Sequence, residues 1–254
     1  MNRPPAVRLD RLLANLGYGS RREVHVLVRE RTVVLDGQVV TDAGARIALT
    51  RDLPERLSIR GAPVDPPAPL VLMLHKPPGV VCSHREPGRS VYELLPTRWR
   101  SRTPALSTVG RLDLDTTGLL LITDDGPFLH RVISPRSHAP KRYIATLESP
   151  LRGDEADIFA RGDLMLEGEE RPLAPAWLEV LEPRLARLTI TEGRFHQVRR
   201  MFSSVGNHVV SLHRDRMGDL DLPPELAPGA WRILSPAECE SALIQPQDGP
   251  LRLA

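Results

Sequence analysis

The run Pro63-Val64-Asp65-Pro66-Pro67-Ala68-Pro69 constrains the fold of this chain more than any other stretch. Proline fixes φ and donates no backbone N–H, so neither a helix interior nor a central strand can pass through four of them. The composition reads as a stiff, extended linker at residues 63–69. It splits the 254 residues into a small module, 1–62, and a larger domain, 70–254. The longest apolar runs, Leu70–Leu74 and Leu119–Ile122, are far short of the roughly 18 residues of a membrane span, and read as buried strands. Met1–Leu9 lacks the apolar core of a secretory signal, so the expected compartment is the cytoplasm, with no membrane partner.

The first module reads as helix, turn, helix, hairpin. Leu9, Leu12, Leu13 and Leu16 form one apolar stripe, which Gly17 and Gly19 end. Ser20 followed by Glu23 is a capping box, and Val24, Leu27 and Val28 continue the buried face. Thr32–Leu35 and Gln38–Val40 flank Asp36-Gly37, which suits a type I′ hairpin turn. Net charge is only +2, but residues 1–62 carry eleven arginines against seven acidic residues, whereas the remainder has 23 basic against 25 acidic. Arg21 and Arg22 fall in the first turn of the second helix, where the dipole disfavours cations unless an anion compensates. A phosphate is the expected compensator, with Ser20 at the helix start and Arg8 and Arg11 extending the surface.

Beyond the linker, strand-like stretches (Leu119–Thr123, Lys141–Leu147, Ala176–Leu181, Arg187–Thr191) outnumber helical ones (Glu155–Ala160, Gln197–Val205). The fold class is α+β: a small module of two helices and a hairpin, joined to a mixed, mostly antiparallel sheet with flanking helices. Cys82 and Cys239 form no C-x-x-C pair and read as small hydrophobes, and no metal site is expected.

Three segments concentrate chemistry. Val109–Gly118 sets Asp113 and Asp115 beside Arg111, Thr116 and Thr117, between a glycine entry and a buried strand. Asp115 and Thr116 equally suit a polar turn. In Lys141–Leu147, Tyr143 alternates with Lys141 and Ala145, so its ring can face a cleft. In Glu192–Phe202, a helix starting near His196 presents Arg199 and Arg200 beside the stripe Val198, Met201, Phe202. The pattern Asp113-Leu-Asp115-Thr116-Thr117 also fits D-x-D-x-T of haloacid-dehalogenase-type phosphatases. That chemistry needs the first Asp at the end of a buried strand with magnesium beside it, and Gly110-Arg111 stands where that strand would run.

Together these segments resemble the pseudouridine synthases that modify ribosomal RNA. The carriers are G-R-L-D-L-D-T-T-G-L-L-L at 110–121, K-P-P-G-V-V-C-S at 76–83 and K-R-Y at 141–143, then E-G-R-F-H-Q-V-R-R-M-F at 192–202, N-H-V-V-S-L-H-R at 207–214 and L-A-P-G at 226–229. R-L-D-R-L-L-A and G-S-R-R-E near the N-terminus resemble an S4-like RNA-binding domain. The resemblance implies Asp113 as catalytic carboxylate, Tyr143 stacked on the target uracil, and Arg199 paired with Asp113. Arg111 would fill the space left by the extruded nucleotide, and Lys76, Arg194 and Arg200 are expected on the RNA-facing surface. His75 stands where the family usually has Asn. The implied reaction isomerises one uridine of 16S rRNA, most like position 516 of that RNA, without cofactor or metal, in a monomer bound to ribosomal RNA or an assembling subunit. A 23S rRNA target and a non-catalytic assembly factor on the same scaffold are the alternatives.

Overall fold

In a computed structural model, residues 5–134 and 139–244 are described; the start of the Met1–Leu9 segment lies outside them. The chain divides into two compact units. One comprises Met1–Val71, Leu95–Ser107 and Thr123–Asp125, the other Leu72–Leu94, Thr108–Ile122 and Gly126–Ala254.

The first unit opens with β1 (Ala6–Arg8), α1 (Leu9–Asn15) and α2 (Arg21–Arg29). The expected stripe is buried: Leu9, Leu12, Leu13, Leu16, Val24 and Val28 form its core with Val33, Ile47, Leu53 and Leu57. The capping box is present, Ser20 Oγ accepting from the Glu23 N–H while Glu23 accepts from the Ser20 N–H. The hairpin of β2 (Val33–Leu35) and β3 (Gln38–Val39) turns through Asp36 and Gly37, both at positive φ as a type I′ turn requires. After β4 (Arg46–Ala48) and α3 (Leu53–Arg56), β5 (Leu57–Ile59) and β6 (Ala62–Pro63) extend that sheet, in the order β3-β2-β5-β6.

The proline run is packed chain rather than a free spacer. Val64 belongs to the first unit's core, and Asp65 accepts two hydrogen bonds from Arg98, one at 2.6 Å. Spacing alone does not show that residues 95–107 return to this unit; Thr103 N–H, for instance, donates to Asn15 O at 2.8 Å.

The second unit is built on a sheet that is nine-stranded among the described residues. Its chain order is β7 (Val71–Lys76), β8 (Ser107–Thr108), β9 (Thr117–Thr123), α4 (Gly126–Ile133), β10 (Lys141–Leu147), α5 (Glu155–Ala160), β11 (Trp177–Glu182) and β12 (Leu185–Ile190). There follow α6 (Gln197–Ser204), β13 (Val209–Met217), β14 (Leu220–Asp221), β15 (Trp231–Ile233) and α7 (Pro236–Ser241). In space the main path runs β11-β12-β10-β13-β9-β7-β15. β10 is antiparallel to β12 and β13, whereas β9 and β13 run parallel, Gly118 opposite Arg214. That parallel step explains Gly118: a Cβ there would run into the carbonyl oxygen of Arg214, and its φ is +108°. Residues Leu119–Ile122 are fully buried, as the apolar run predicts.

Where β9 ends, Asp124 is enclosed. One oxygen accepts from Leu70 N–H at 2.7 Å and the other from Arg102 at 2.9 Å, with both ion-pair side chains at most 2% exposed. Replacing Arg102 by Leu leaves a buried carboxylate without its cation and is expected to cost about 3–5 kcal/mol in urea unfolding. Adding Asp124→Asn should recover part of that loss, because an amide oxygen still accepts from Leu70 and carries no charge.

Candidate active site

Asp113 sits in the loop that enters β9, and the backbone of that loop is held from below. Lys76, at the end of β7, is fully buried, and its Nζ donates to the carbonyls of Pro77 (3.1 Å), Leu114 (3.1 Å) and Thr116 (2.9 Å). Gly79 N–H also donates to Leu114 O, Thr116 N–H to Asp113 O, and Leu112 N–H to the buried Cys82 sulfur at 3.5 Å. The loop is therefore fixed at Leu112, Leu114 and Thr116 while the Asp113 side chain between them points outward, 30% exposed.

It faces a cleft of about 420 Å³ lined by Asp113, Tyr143, Lys141, Arg214, His196 and Phe195 among others. Arg199 Nε lies 3.9 Å from one Asp113 oxygen and His196 Nε2 lies 3.5 Å from the other. Arg199 makes its short contacts elsewhere, to Asp115 at 2.7 Å and Val209 O at 2.9 Å, and its Nε has no hydrogen-bond partner among the described residues. The expected Asp113–Arg199 pair is thus a charge contact rather than a hydrogen-bonded bridge. Asp115 takes the strong bond that orients the guanidinium, and so has a structural task. The carboxylate of Asp113 accepts no hydrogen bond among the described residues, so its lone pairs stay available to a ligand.

Tyr143 enters from β10, where the register with β13 shifts between Arg142 and Tyr143. Such an irregularity re-aims a side chain. The ring is buried against the cleft. Arg214 donates to its hydroxyl at 3.4 Å, lies over the ring at 5.9 Å and donates Nε–H to Leu119 O at 2.8 Å. Lys141 shares the cleft, and burial, with Arg214 nearby, pushes its ammonium down to about 8.

Asp113, Tyr143 and Arg199, taken from three distant segments, do converge here. Other expected residues are committed elsewhere. Lys76 is a buried clamp and offers no charge to RNA. Ser20 is consumed by its capping box. Arg194 donates to Glu192, Glu169 and the carbonyls of Arg171 and Pro172, and Arg200 to Glu169, Glu167 O and Phe195 O. Arg111 is well exposed at the cleft, in an ion pair with Glu86 at 2.8 Å. His75 does not line the cleft; its Nδ1 meets Leu226 O at 2.7 Å.

In the first unit, the anion that compensates the arginines is a residue of the chain. Asp10, 1% exposed, accepts from Arg8 at 3.0 Å and Arg21 at 2.7 Å, with His25 at 3.3 Å. The guanidinium of Arg8 and the other donors hold its carboxyl far below the usual range. Arg8, Arg21, Arg22, His25 and Arg29 line a shallow surface depression around it. Arg11 and Arg22 make no ion pair among the described residues.

Sequence reasoning missed His196, Phe195 and Arg214 as cleft residues. His196 has φ 47° and ψ 34°, a left-handed backbone unusual for a non-glycine residue, which no local sequence signal announces. Arg214 was visible only as part of a motif.

A loop-borne carboxylate shares its cleft with a tyrosine and lies near an arginine, and residues 70–204 match the RNA pseudouridylate synthase family, to which the chain belongs. Residues 7–50 match the S4 domain. The chain is 43% identical to the ribosomal small subunit pseudouridine synthase A of Escherichia coli strain K12, over 93% of this chain and all of that one. It is also 43% identical to the protein of that name from Pseudomonas aeruginosa, over 91% of this chain and 98% of the relative. A crystal structure of a pseudouridylate synthase superposes with a TM-score of 0.65 at 35% identity, covering 93% of this chain and 99% of that one.

The depressed Lys141 sets a pH dependence. Between about pH 8 and the ordinary lysine range near 10.4 the unfolded chain binds the extra proton, so stability rises with pH across that window and is lower below it. Lys141→Met should flatten this alkaline slope in denaturation midpoints taken from pH 7.5 to 10.5.

Proposed function

We propose that this chain converts one uridine of 16S rRNA to pseudouridine, with Asp113 as the catalytic residue, and that the target is uridine 516 of that RNA. The observation that carries the reading is the Asp113 carboxylate, free of hydrogen bonds among the described residues yet facing Arg199 and sharing a cleft with Tyr143. The 43% identity to small-subunit enzymes along almost the whole chain supports the choice of RNA.

The isomerisation breaks the bond from ribose C1′ to uracil N1 and forms one from C1′ to C5. The proton on C5 leaves and N1 gains one, so nothing is consumed. Both routes open to Asp113, attack on C1′ and removal of the C2′ proton, use an ionised carboxylate with accessible lone pairs. The freed uracil must turn over without escaping. Tyr143 provides a flat wall for that, and stacking on an aromatic side chain is worth roughly 1–3 kcal/mol. Extrusion of the nucleotide costs a few kcal/mol, least in unpaired RNA. Arg111, leaving Glu86, reaches toward the space the nucleotide vacates. The proposed domains are an S4-like RNA-binding module, residues 1–62, followed by the catalytic domain, 70–254, acting as a monomer in the cytoplasm.

Asp113→Asn should abolish tritium release from 5-tritiated uridine in a 16S transcript while RNA affinity stays nearly unchanged; turnover by that variant would refute the assignment. In a deletion strain, pseudouridine should disappear from 16S rRNA at position 516 and persist throughout 23S rRNA.

The Asp10 cluster yields a test of opposite sign to simple charge. Asp10→Asn adds one net positive charge, which by itself strengthens RNA binding. Losing the carboxylate that orders Arg8 and Arg21 returns an ordering cost of roughly 0.5–1.5 kcal/mol per side chain. Filter binding should therefore show weaker affinity despite the higher charge.

A further inference from the structure

Phe195 is the most exposed large apolar side chain among the described residues, at 67%, and it lies at the mouth of the cleft. Its ring stacks on that of the next residue, His196, with centroids 3.8 Å apart and planes 17° from parallel. Adjacent side chains diverge on both helix and strand, so two consecutive rings meet face to face only through an unusual backbone. The left-handed conformation of His196 supplies it.

The segment around the pair is braced on both sides. Arg194, just before it, is tied to Glu192, Glu169 and two carbonyls, and Arg200 donates to the Phe195 carbonyl at 3.2 Å and to Glu169 at 2.7 Å. These two arginines thus hold a stacked, outward-facing aromatic pair whose inner ring reaches Asp113 at 3.5 Å. A single exposed ring is too small for a protein-docking patch, but it matches the face of one base. A nucleotide drawn out of its stack leaves its chain neighbours without a stacking partner beside it.

We propose that the outer face of Phe195 is a subsite for the unpaired nucleobase adjacent to the target uridine, with His196 as its backing. This rests on the reading of the cleft as a uridine site. Aromatic stacking is indifferent to base identity, so the subsite selects RNA with an unpaired neighbour rather than a particular letter.

The test uses the full chain and a synthetic stem-loop carrying the converted uridine, intact or with an abasic residue on its 5′ or 3′ side. Phe195→Leu keeps an apolar side chain and removes the ring; Phe195→Trp keeps a ring. The Leu variant should bind the intact stem-loop about 5- to 160-fold more weakly, the range that stacking of one base spans, and the Trp variant should bind like the original. An abasic residue on one side should weaken binding to the original protein by a similar factor and leave the Leu variant unaffected. Unchanged affinity in Phe195→Leu, or losses that simply multiply for both abasic RNAs, would overturn the subsite. Unaltered melting temperatures confirm that the variants fold. The isomerase reading fails separately: the original protein would then leave the intact stem-loop unconverted, whatever the binding cycle shows.

Discussion

The ammonium of Lys76, buried with no carboxylate bonded to it among the described residues, is the group on which the site's geometry depends. Its three donors end on the carbonyls of Pro77, Leu114 and Thr116. Two of those carbonyls, Leu114 and Thr116, directly follow Asp113 in its loop. A charge removed from water is costly unless its bonding capacity is met, and here three backbone oxygens meet it. The loop oxygens, which would otherwise seek water, turn inward, and Asp113, held between the Leu112 N–H bond to Cys82 and the tethered Leu114 carbonyl, faces the cleft. A residue that looks like an RNA contact in sequence thereby acts as the floor of the Asp113 loop.

Much of the architecture was legible because it rests on local rules. The apolar stripe of α1, the reciprocal cap of α2, the Asp36-Gly37 turn, strand β10 and helix α5 appear where periodicity and capping chemistry put them. Asp113, Tyr143 and Arg199 were recognisable as a set through ordered motifs; Asp113 and Tyr143 line one cleft, and Arg199 lies 3.9 Å from Asp113. What escaped is non-local or conformational. Residues 95–107 belong with the first unit because of tertiary packing that no spacing reveals. β13, nine residues long and central to the sheet, mixes buried and exposed positions irregularly, so it lacks a clean alternating pattern. The stacked pair at Phe195 and His196 depends on a backbone region that histidine seldom occupies.

Counting arginines overstated the charge on offer. Of those singled out in sequence, Arg8 and Arg21 share Asp10, Arg194 and Arg200 share Glu169, and Arg111 pairs with Glu86. Guanidinium groups make several directed bonds at once, and an arginine-rich chain uses them as struts as well as ligands. The carboxylates differ in exposure. Asp10 is buried, so the two guanidiniums on it are held in place; the Glu86 partner of Arg111 is half-exposed, so that bond is weak and easily exchanged for a phosphate.

The close parallel contact at Gly118 has a consequence for how such an enzyme can diversify. With no room for a side chain there, and with the carbonyls of Leu114 and Thr116 tethered, the span from 113 to 118 tolerates neither insertion nor drift. The opposite rim, from Gly193 to His196, faces solvent and carries no such restriction on side-chain size at Phe195. Side chains on the outer lip can therefore change while the Asp113 carboxylate keeps its address.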